Sequence, residues 1–305
     1  MTRVAVVGEA LVDVIGTTAH PGGSPVNVAV GLARLGLDVT MMTRFGRDAH
    51  GRLLEEHLAR AGVTLAPGSA APGARTSSAH VTLDEHGAAM YAFDVSWDVA
   101  PPDLGGFDLV HTGSIGAYLE PGASAVASAL AGVPGGTVVS FDPNIRPALV
   151  GARAEAVART ERIAALSHIV KLSDEDASWL YPGMPVLDVL RRLSGLGARL
   201  AVATLGARGC LAIAGADVFE VPAPPVVVAD TVGAGDSFMS GLLAALVADA
   251  GPGVVAAGTE PGRGWEHALR FALWSAAVTV ARPGADPPWA DELVSPGGDR
   301  PTHAA

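Results

Sequence analysis

The segment Asp230-Thr231-Val232-Gly233-Ala234-Gly235-Asp236-Ser237-Phe238 combines a glycine turn, the start of a helix and a carboxylate. Residues 226–228 before it are expected to form a strand, and residues 237–250 after it are apolar at helical spacing. The turn is therefore expected at a helix N-terminus, where small residues let backbone N–H groups converge on an anion. Such a turn suits a phosphate group.

Asp236 would lie beside that anion. A carboxylate repels phosphate, so a role in stability explains it poorly, whereas a base that deprotonates an attacking hydroxyl explains it better. The alternative is that Asp236 is an N-cap or first-turn acid and that the glycines only make a tight turn.

Composition limits the class of protein. The 305 residues are 49% hydrophobic and 17% charged, which is ample for one large domain with a full core. A formal charge of −11 argues against nucleic acid or an anionic membrane as partner, because both attract basic surfaces. With one cysteine, Cys210, neither an intrachain disulfide nor a multi-cysteine metal site is expected.

Two further absences in the sequence bear on function. The chain enters a strand-like run at residues 4–7 without a basic segment and cleavage site, and no run of about 18 uncharged apolar residues follows, so we expect a cytoplasmic protein. Lysine occurs once, at Lys171 after Val170, which rules out a phosphate loop of the Walker type.

Short runs rich in valine and isoleucine alternate with helical stretches, the pattern of a parallel sheet covered by helices. The predicted strands are 4–7, 39–43, 109–112, 137–141, 169–171, 200–204 and 211–214. The predicted helices are 25–35, 51–61, 123–130, 153–165, 174–180, 186–195, 237–250 and 265–282. We therefore predict an α/β fold with Rossmann-like layering.

Residues 76–94 break this rhythm. They alternate with period two around an Asp-Glu-His-Gly turn, which predicts a β-hairpin. With residues 11–15 the hairpin is predicted to form a small antiparallel sheet, a lid able to cover a cleft. Residues 251–264 are expected to form a loop, and the tail from Val294 is expected to be disordered.

A second glycine turn, Pro21-Gly22-Gly23-Ser24-Pro25-Val26-Asn27, opens a helix and places Asn27 in its first turns. An amide offers a donor and an acceptor, which suits a neutral polyol. The alternative is an N-cap followed by an amphipathic helix. Asp13 follows the first strand, where ligands of open α/β sheets gather, and would accept hydrogen bonds from sugar hydroxyls or else be a turn residue.

Two more polar segments follow predicted strands. Arg146 ends one of them, where its guanidinium can pair with phosphate oxygens or form a structural salt bridge. Thr204-Leu205-Gly206-Ala207-Arg208-Gly209 is a turn at which a backbone can approach a nucleotide. The nine histidines lack metal-ligand spacing, so we assign none to metal or catalysis.

With these residues in view, the chain resembles the PfkB family of carbohydrate kinases, the ribokinase-like sugar kinases, over nearly its whole length. The stretch Gly22-Gly23-Ser24-Pro25-Val26-Asn27-Val28-Ala29-Val30-Gly31-Leu32-Ala33-Arg34-Leu35-Gly36 looks like the first family signature, and residues 230–238 look like the second, about 200 residues later. Within the family the chain is most similar to bacterial fructokinases, in Gly8-Glu9-Ala10-Leu11-Val12-Asp13, Val81-Thr82-Leu83-Asp84-Glu85-His86-Gly87 and Asp142-Pro143-Asn144-Ile145-Arg146.

The resemblance implies transfer of the γ-phosphoryl group of ATP to a primary alcohol of a sugar, with fructose preferred. Ribose, a 2-keto-3-deoxy sugar acid and a nucleoside stay open as acceptors, and a catalytically silent sugar or nucleotide sensor is a further alternative. Asp236 would be the base, and the backbone N–H groups of Gly233, Ala234 and Gly235 would form the anion hole. The implied sugar-binding residues are Asp13, Gly22, Gly23, Asn27 and Arg146. The implied nucleotide-binding residues are Lys171, Thr204, Gly206, Gly209 and Gly235.

The resemblance also implies Mg²⁺ with Asp176 as a ligand and a monovalent cation such as K⁺ near Asp230. Many relatives have Asn-x-x-Glu near the Mg²⁺ site, whereas this chain has Ser173-Asp174-Glu175-Asp176. The kinase domain is expected to span residues 1–293. Its lid, about residues 9–16 and 74–98, is expected to form a homodimer contact.

Overall fold

The computed structural model describes residues 1–83, 89–259 and 264–293 of the chain. The strands are β1 (Arg3–Val7), β2 (Leu11–Ile15), β3 (Thr18–Gly22), β4 (Asp38–Met42), β5 (Phe45–Gly46), β6 (Thr64–Leu65), β7 (Ala70–Ala71), β8 (Ser77–Leu83), β9 (Ala89–Asp94), β10 (Leu109–Gly113), β11 (Val138–Asp142), β12 (Ile169–Ser173), β13 (Leu200–Thr204), β14 (Cys210–Ala214) and β15 (Asp217–Val221). The helices are α1 (Ser24–Arg34), α2 (Ala49–Arg60), α3 (Gly122–Ala131), α4 (Arg153–Ala164), α5 (Asp174–Leu180), α6 (Val186–Leu196), α7 (Ala234–Ala250), α8 (Pro252–Ala257) and α9 (Trp265–Val280).

A nine-stranded sheet in the order β15-β14-β13-β12-β11-β10-β1-β4-β6 forms the centre of the fold. Its strands pair in parallel from β6 to β13, and β14 and β15 are added antiparallel at one edge. One face packs on α1, α2, α7, α8 and α9, and the other packs on α3 to α6. The predicted α/β fold is therefore confirmed, and the carboxyl ends of the parallel strands share one edge.

A second sheet in the order β3-β2-β8-β9 contains the predicted hairpin and residues 11–15. The pairs β2–β3 and β8–β9 are antiparallel, while β2 and β8 run parallel with Leu11 opposite Ser77. Asp48 anchors its base, because its carboxylate accepts hydrogen bonds from the backbone and hydroxyl of Thr76 (3.0 and 2.7 Å) and from the N-terminus of α2. The residues of the hairpin turn, 84–88, lie outside the described part of the chain.

Two predictions of secondary structure were wrong. Residues 226–228 lie in an exposed extended segment after Pro222, Pro224 and Pro225, and Val227 is 89% exposed. The edge strand β15 lies just before these prolines, which lack the N–H that a strand needs. Within the predicted loop 251–264, residues 252–257 form α8, which begins at a proline and ends at Gly258 in the left-handed conformation. The predicted disordered tail from Val294 lies outside the described residues.

Among the described residues, none of the helices has the length and apolar character needed to cross a membrane.

Candidate active site

The segment 230–236 forms a tight turn that leads into α7. Gly233 is the N-cap with φ of 76°, and a Cβ placed there would lie 2.6 Å from Ala285 Cβ, so only glycine fits. The helix begins at Ala234, three residues before the predicted start. The N–H of Ala234 donates to the carbonyl of Thr231 at 3.3 Å. The first N–H groups of a helix have no acceptor within it, so the next two, of Gly235 and Asp236, are available to an anion.

Asp236 is buried where the starts of two helices meet. Its Oδ1 accepts a hydrogen bond from Ser24 Oγ at 2.6 Å, and its Oδ2 accepts one from Asn27 Nδ2 at 2.8 Å. Both donors lie in the first turn of α1, whose N-cap is Gly23 with φ of 103°. The structure thus brings the two glycine turns of the sequence together around one carboxylate.

Asp13 extends this site towards the second sheet. A Cβ on Gly22 would lie 2.4 Å from Asp13 Oδ2, so the Asp13 carboxylate rests directly against the backbone that leads into Gly23 and α1. Burial raises the pKa of Asp13, although the charges of His20 and Arg146 oppose this shift. Asp13 lies against Gly22 and Asn27 bonds Asp236, so the segment 22–27 connects the two carboxylates.

Arg146 contributes positive charge near the Asp13 carboxylate. It donates to Asn144 Oδ1 at 2.7 Å and to the carbonyl of Ile145 at 3.2 Å. Asn144 has a φ of 40°, a left-handed conformation that costs free energy in residues other than glycine and recurs at functional sites. The turn after β11 thus holds the guanidinium within electrostatic reach of Asp13.

Glu9, which the sequence reasoning did not single out, is buried at the end of β1. It is 1% exposed, and its Oε2 accepts a hydrogen bond from Gly116 N at 2.7 Å. Burial raises the pKa of Glu9 to about 7 against the effects of hydrogen bonds from Gly116 and Ser114 and the charge of Arg146. The available signal in the sequence was an acidic residue two positions after the first predicted strand.

Lys171 lies beneath the glycine turn. Its Nζ donates to Asp142 Oδ2 at 2.7 Å and to the carbonyl of Gly235 at 3.3 Å, and both Lys171 and Asp142 are buried. Burial raises the pKa of Asp142 to about 6, while the Lys171 ammonium opposes that shift. Burial alone would lower the pKa of Lys171, but the Asp142 carboxylate raises it. The single lysine of the chain therefore supplies a fixed positive charge under the turn.

Several buried polar atoms at this edge of the sheet lack a hydrogen-bond partner within the described residues: Glu9 Oε1, Asn27 Oδ1, Thr43 Oγ1 and Asp142 Oδ1. Buried polar groups are nearly always satisfied in folded proteins, because an unpaired one costs about 1–3 kcal/mol. These atoms lie after β1 and β4, at the end of β11 and near the start of α1, where they can form hydrogen bonds with a polar ligand.

The residues predicted to contact a nucleotide lie further along the same edge. Thr204 ends β13, Gly206 follows with φ of 57°, and Gly209 has φ of 97°. A Cβ on Gly209 would lie 2.0 Å from the carbonyl of Val221, so the turn requires glycine for its own packing. The structure places this turn beside β12, the strand that carries Lys171, and it leaves the contact with a nucleotide as a prediction.

Asp176 caps α5. It exchanges hydrogen bonds with Ser173 in a capping box, and its Oδ1 also accepts from Ile145 N at 2.8 Å. The serine that replaces the asparagine of many relatives therefore has a structural use as the N-cap. The role of Asp176 as a Mg²⁺ ligand stays a prediction.

Asp230 stabilises the start of the turn that leads into α7. Its Oδ1 accepts from Val232 N at 3.0 Å and its Oδ2 accepts from Gly284 N at 2.8 Å, and these bonds lower its pKa. Within residues 1–83, 89–259 and 264–293 there is no group of three or more histidine, cysteine or acidic side chains around one point. Carboxylate oxygens suit hard cations, and Mg²⁺ usually takes only one or two of them together with phosphate oxygens, so these acids fit both predicted cations.

Glu9 gives the site a measurable pH signature. The folded protein holds a proton on Glu9 that the unfolded chain releases between its ordinary pKa of 4.5 and about 7, so this group makes stability fall as pH rises through that window. The Glu9→Gln variant loses this dependence. We expect the stability of Glu9→Gln relative to wild type to increase by roughly 3 kcal/mol between pH 4.5 and 8, an order-of-magnitude figure for a shift of this size.

Urea unfolding of both proteins across this pH range measures the difference between their free energies of unfolding. The other titrating groups are the same in both proteins, so their contributions cancel in this difference. Glu56→Gln, on the exposed side of α2, controls for the loss of one carboxylate. A difference between wild type and Glu9→Gln that does not change with pH would contradict the prediction.

Comparison with known proteins places these features in one family. A profile of the pfkB family carbohydrate kinases matches residues 1–292. The chain is 36% identical over 269 residues to a fructokinase of Klebsiella pneumoniae, covering 84% of this chain and 88% of that protein. It is 33% identical over 259 residues to a fructokinase of Rhizobium leguminosarum bv. trifolii, covering 79% of each chain.

Solved structures agree with this result. A double mutant of the Vibrio cholerae O395 fructokinase, with fructose, ADP and potassium ion bound, matches with a TM-score of 0.77 at 30% identity, over 93% of this chain and 94% of that chain. The aminoimidazole riboside kinase of Salmonella enterica matches with a TM-score of 0.80 at 28% identity, over 96% and 98%. The chain therefore belongs to the PfkB family of carbohydrate kinases and has the ribokinase-like fold.

Proposed function

We propose that this kinase transfers the γ-phosphoryl group of ATP to a hydroxymethyl group of fructose. The observation that carries the proposal is the placement of Asp236: a buried carboxylate, held by Ser24 and Asn27, in the first turn of α7, where the N–H groups of Gly235 and Asp236 have no acceptor within the helix. A base and an anion site at one point are what phosphoryl transfer to an alcohol requires.

The sugar side of the site is built for hydroxyl groups. Asn27 Oδ1 is buried and unpartnered among the described residues, so it can accept a hydrogen bond from a hydroxyl next to the one that Asp236 deprotonates. The Asp13 carboxylate supplies further acceptors, and the absence of a side chain at Gly22 lets that carboxylate lie against the start of α1. The Arg146 guanidinium can donate hydrogen bonds to the remaining oxygens of the sugar.

The phosphate side relies on a helix N-terminus in place of a phosphate-loop lysine. The γ-phosphate lies over Gly233, Ala234 and Gly235, where the helix N-terminus favours negative charge and the buried Lys171 ammonium offsets the charge of Asp142. ATP extends along the carboxyl edge towards Thr204, Gly206 and Gly209. Mg²⁺ enters with the phosphates near Asp176, and a monovalent cation such as K⁺ binds beside Asp230. Because ATP is the donor, we place the enzyme in the cytoplasm.

Fructose is the proposed acceptor because the relatives at 33–36% identity are fructokinases. A riboside is the second candidate. The likeness to the aminoimidazole riboside kinase, at a TM-score of 0.80, favours it specifically.

The acceptor is tested by measuring ADP release with fructose, ribose, aminoimidazole riboside, a 2-keto-3-deoxy sugar acid and adenosine. We expect fructose to give a kcat/KM at least about tenfold above the others, a difference of about 1.4 kcal/mol in transition-state binding. A higher value for a riboside would replace fructose by the second candidate. Sugar binding without ADP release from any acceptor would identify a silent sensor instead of an enzyme.

Asp236→Asn tests the base. The amide has nearly the same shape and can keep contacts with Ser24 and Asn27, but it cannot accept the proton of the sugar hydroxyl. We expect kcat to fall by roughly 10² to 10⁴, the usual contribution of a general base, while calorimetric binding of fructose and of ATP stays within a few fold. Asp217→Asn, exposed on β15, controls for the charge change. Wild-type turnover of Asp236→Asn would remove this residue from the mechanism.

The lid sheet is also the proposed homodimer contact, and its closure would exclude water that competes as phosphoryl acceptor. Its outer strands β3 and β9 have open edges among the described strands, and Ile15 is 55% exposed at the end of β2. We expect light scattering to give a mass of twice 30.7 kDa for wild type and a monomer for Ile15→Asp. Met184→Asp, an exposed apolar position outside the lid, should stay dimeric. A monomeric wild type would contradict this contact.

A further inference from the structure

We propose that Ser24 is a positioning residue for the base, whose hydroxyl holds Oδ1 of Asp236 so that the ionised carboxylate meets the acceptor hydroxyl in one orientation. This inference rests on the proposed function. Ser24 takes no direct part in the chemistry and acts through Asp236.

The first argument is the direction in which the hydroxyl points. A serine at the start of a helix ordinarily bonds the free N–H groups of its own first turn. Here Gly23 is the N-cap and α1 has no side-chain cap, while Ser24 Oγ donates to Asp236 across 212 residues of sequence. At 2.6 Å this is a short charge-assisted hydrogen bond, which is stronger than a bond between neutral groups.

The second argument is that Ser24 and Asn27 donate to different oxygens of the Asp236 carboxylate. The two donors are three residues apart and lie on the same side of α1, and each takes a different oxygen of the carboxylate. A carboxylate that accepts a hydrogen bond at each oxygen is restrained from rotating about its Cβ–Cγ bond. Each oxygen keeps a second lone pair, so the sugar hydroxyl still finds an acceptor.

The third argument is that the helices do not need this bond in order to pack. Gly31 of α1 lies directly against Ser240 of α7, where an added Cβ would come within 2.3 Å of the Ser240 hydroxyl. Apolar side chains of both helices, such as Val30 and Leu243, are fully buried in one core. Removal of the Ser24 hydroxyl therefore leaves the contact between α1 and α7 in place.

The test compares Ser24→Ala with Ser24→Thr, which restores a hydroxyl. Loss of the Ser24 hydroxyl leaves Oδ1 of Asp236 without its donor, so the carboxylate can turn away from the acceptor hydroxyl. We expect kcat and the single-turnover rate of Ser24→Ala to fall by about tenfold, with KM for fructose and for ATP within about twofold of wild type. Ser24→Thr should recover the rate.

Ser240→Ala is the matched control. Ser240 is buried on α7 and its hydroxyl bonds the Ser237 carbonyl of its own helix, so this variant should keep the wild-type kcat and KM. An active wild type with an unchanged kcat and single-turnover rate in Ser24→Ala would overturn the inference alone. Equal rate losses in Ser24→Ala and Ser240→Ala, with lower melting temperatures, would also overturn it in favour of a packing role. A wild type that releases no ADP with any acceptor would overturn the proposed function and this inference together.

Discussion

The meeting of two helix starts around the Asp236 carboxylate is the constraint on which the rest of the site depends. Ser24 and Asn27 reach it from α1, 212 and 209 residues earlier in the sequence. A buried carboxylate without partners would cost several kcal/mol, so the fold must deliver these donors wherever it buries Asp236. The two glycine turns are therefore parts of one structure: each packs closely against a neighbouring segment at a helix N-terminus, and the carboxylate lies between the two helix starts.

The site that we propose for ATP and a sugar is rich in carboxylates. Glu9, Asp13 and Asp142 join Asp236 at the same edge of the sheet, and burial raises the pKa of the first three. The positive charges nearby are the Lys171 ammonium, which lies under the glycine turn, and the exposed Arg146 guanidinium. Lys171 is paired with Asp142, so it mainly cancels buried charge, and attraction of phosphate falls to the helix N-terminus and to the cations that accompany ATP.

Local patterns predicted most of the architecture, because each central strand is buried on both faces and shows as a short apolar run. The segment 226–228 has the same composition but lies outside the sheet, since three nearby prolines prevent pairing; apolar character alone does not reveal this. The residues of the candidate site likewise include some that could be predicted from the sequence and some that could not. Asp236, Asn27 and Asp13 could be predicted from motifs at helix starts and strand ends. Ser24 as a partner of Asp236 could not, because the contact depends on the tertiary fold. Asp176 is the reverse case, since Ser-x-x-Asp at a strand end is itself a capping pattern that sequence reasoning can identify.

The second sheet is continuous with the residues that hold the base. Strand β3 ends at Gly22, and the chain passes through Gly23 directly into Ser24 and Asn27. On its other side β2 pairs with β8, so the hairpin is hydrogen-bonded to the strand that carries Asp13. The second sheet is therefore linked through the backbone both to Asp13 and to the two donors of the Asp236 carboxylate. Ser24 lies two residues after the end of β3, so the position of this strand limits where the Ser24 hydroxyl can meet Asp236.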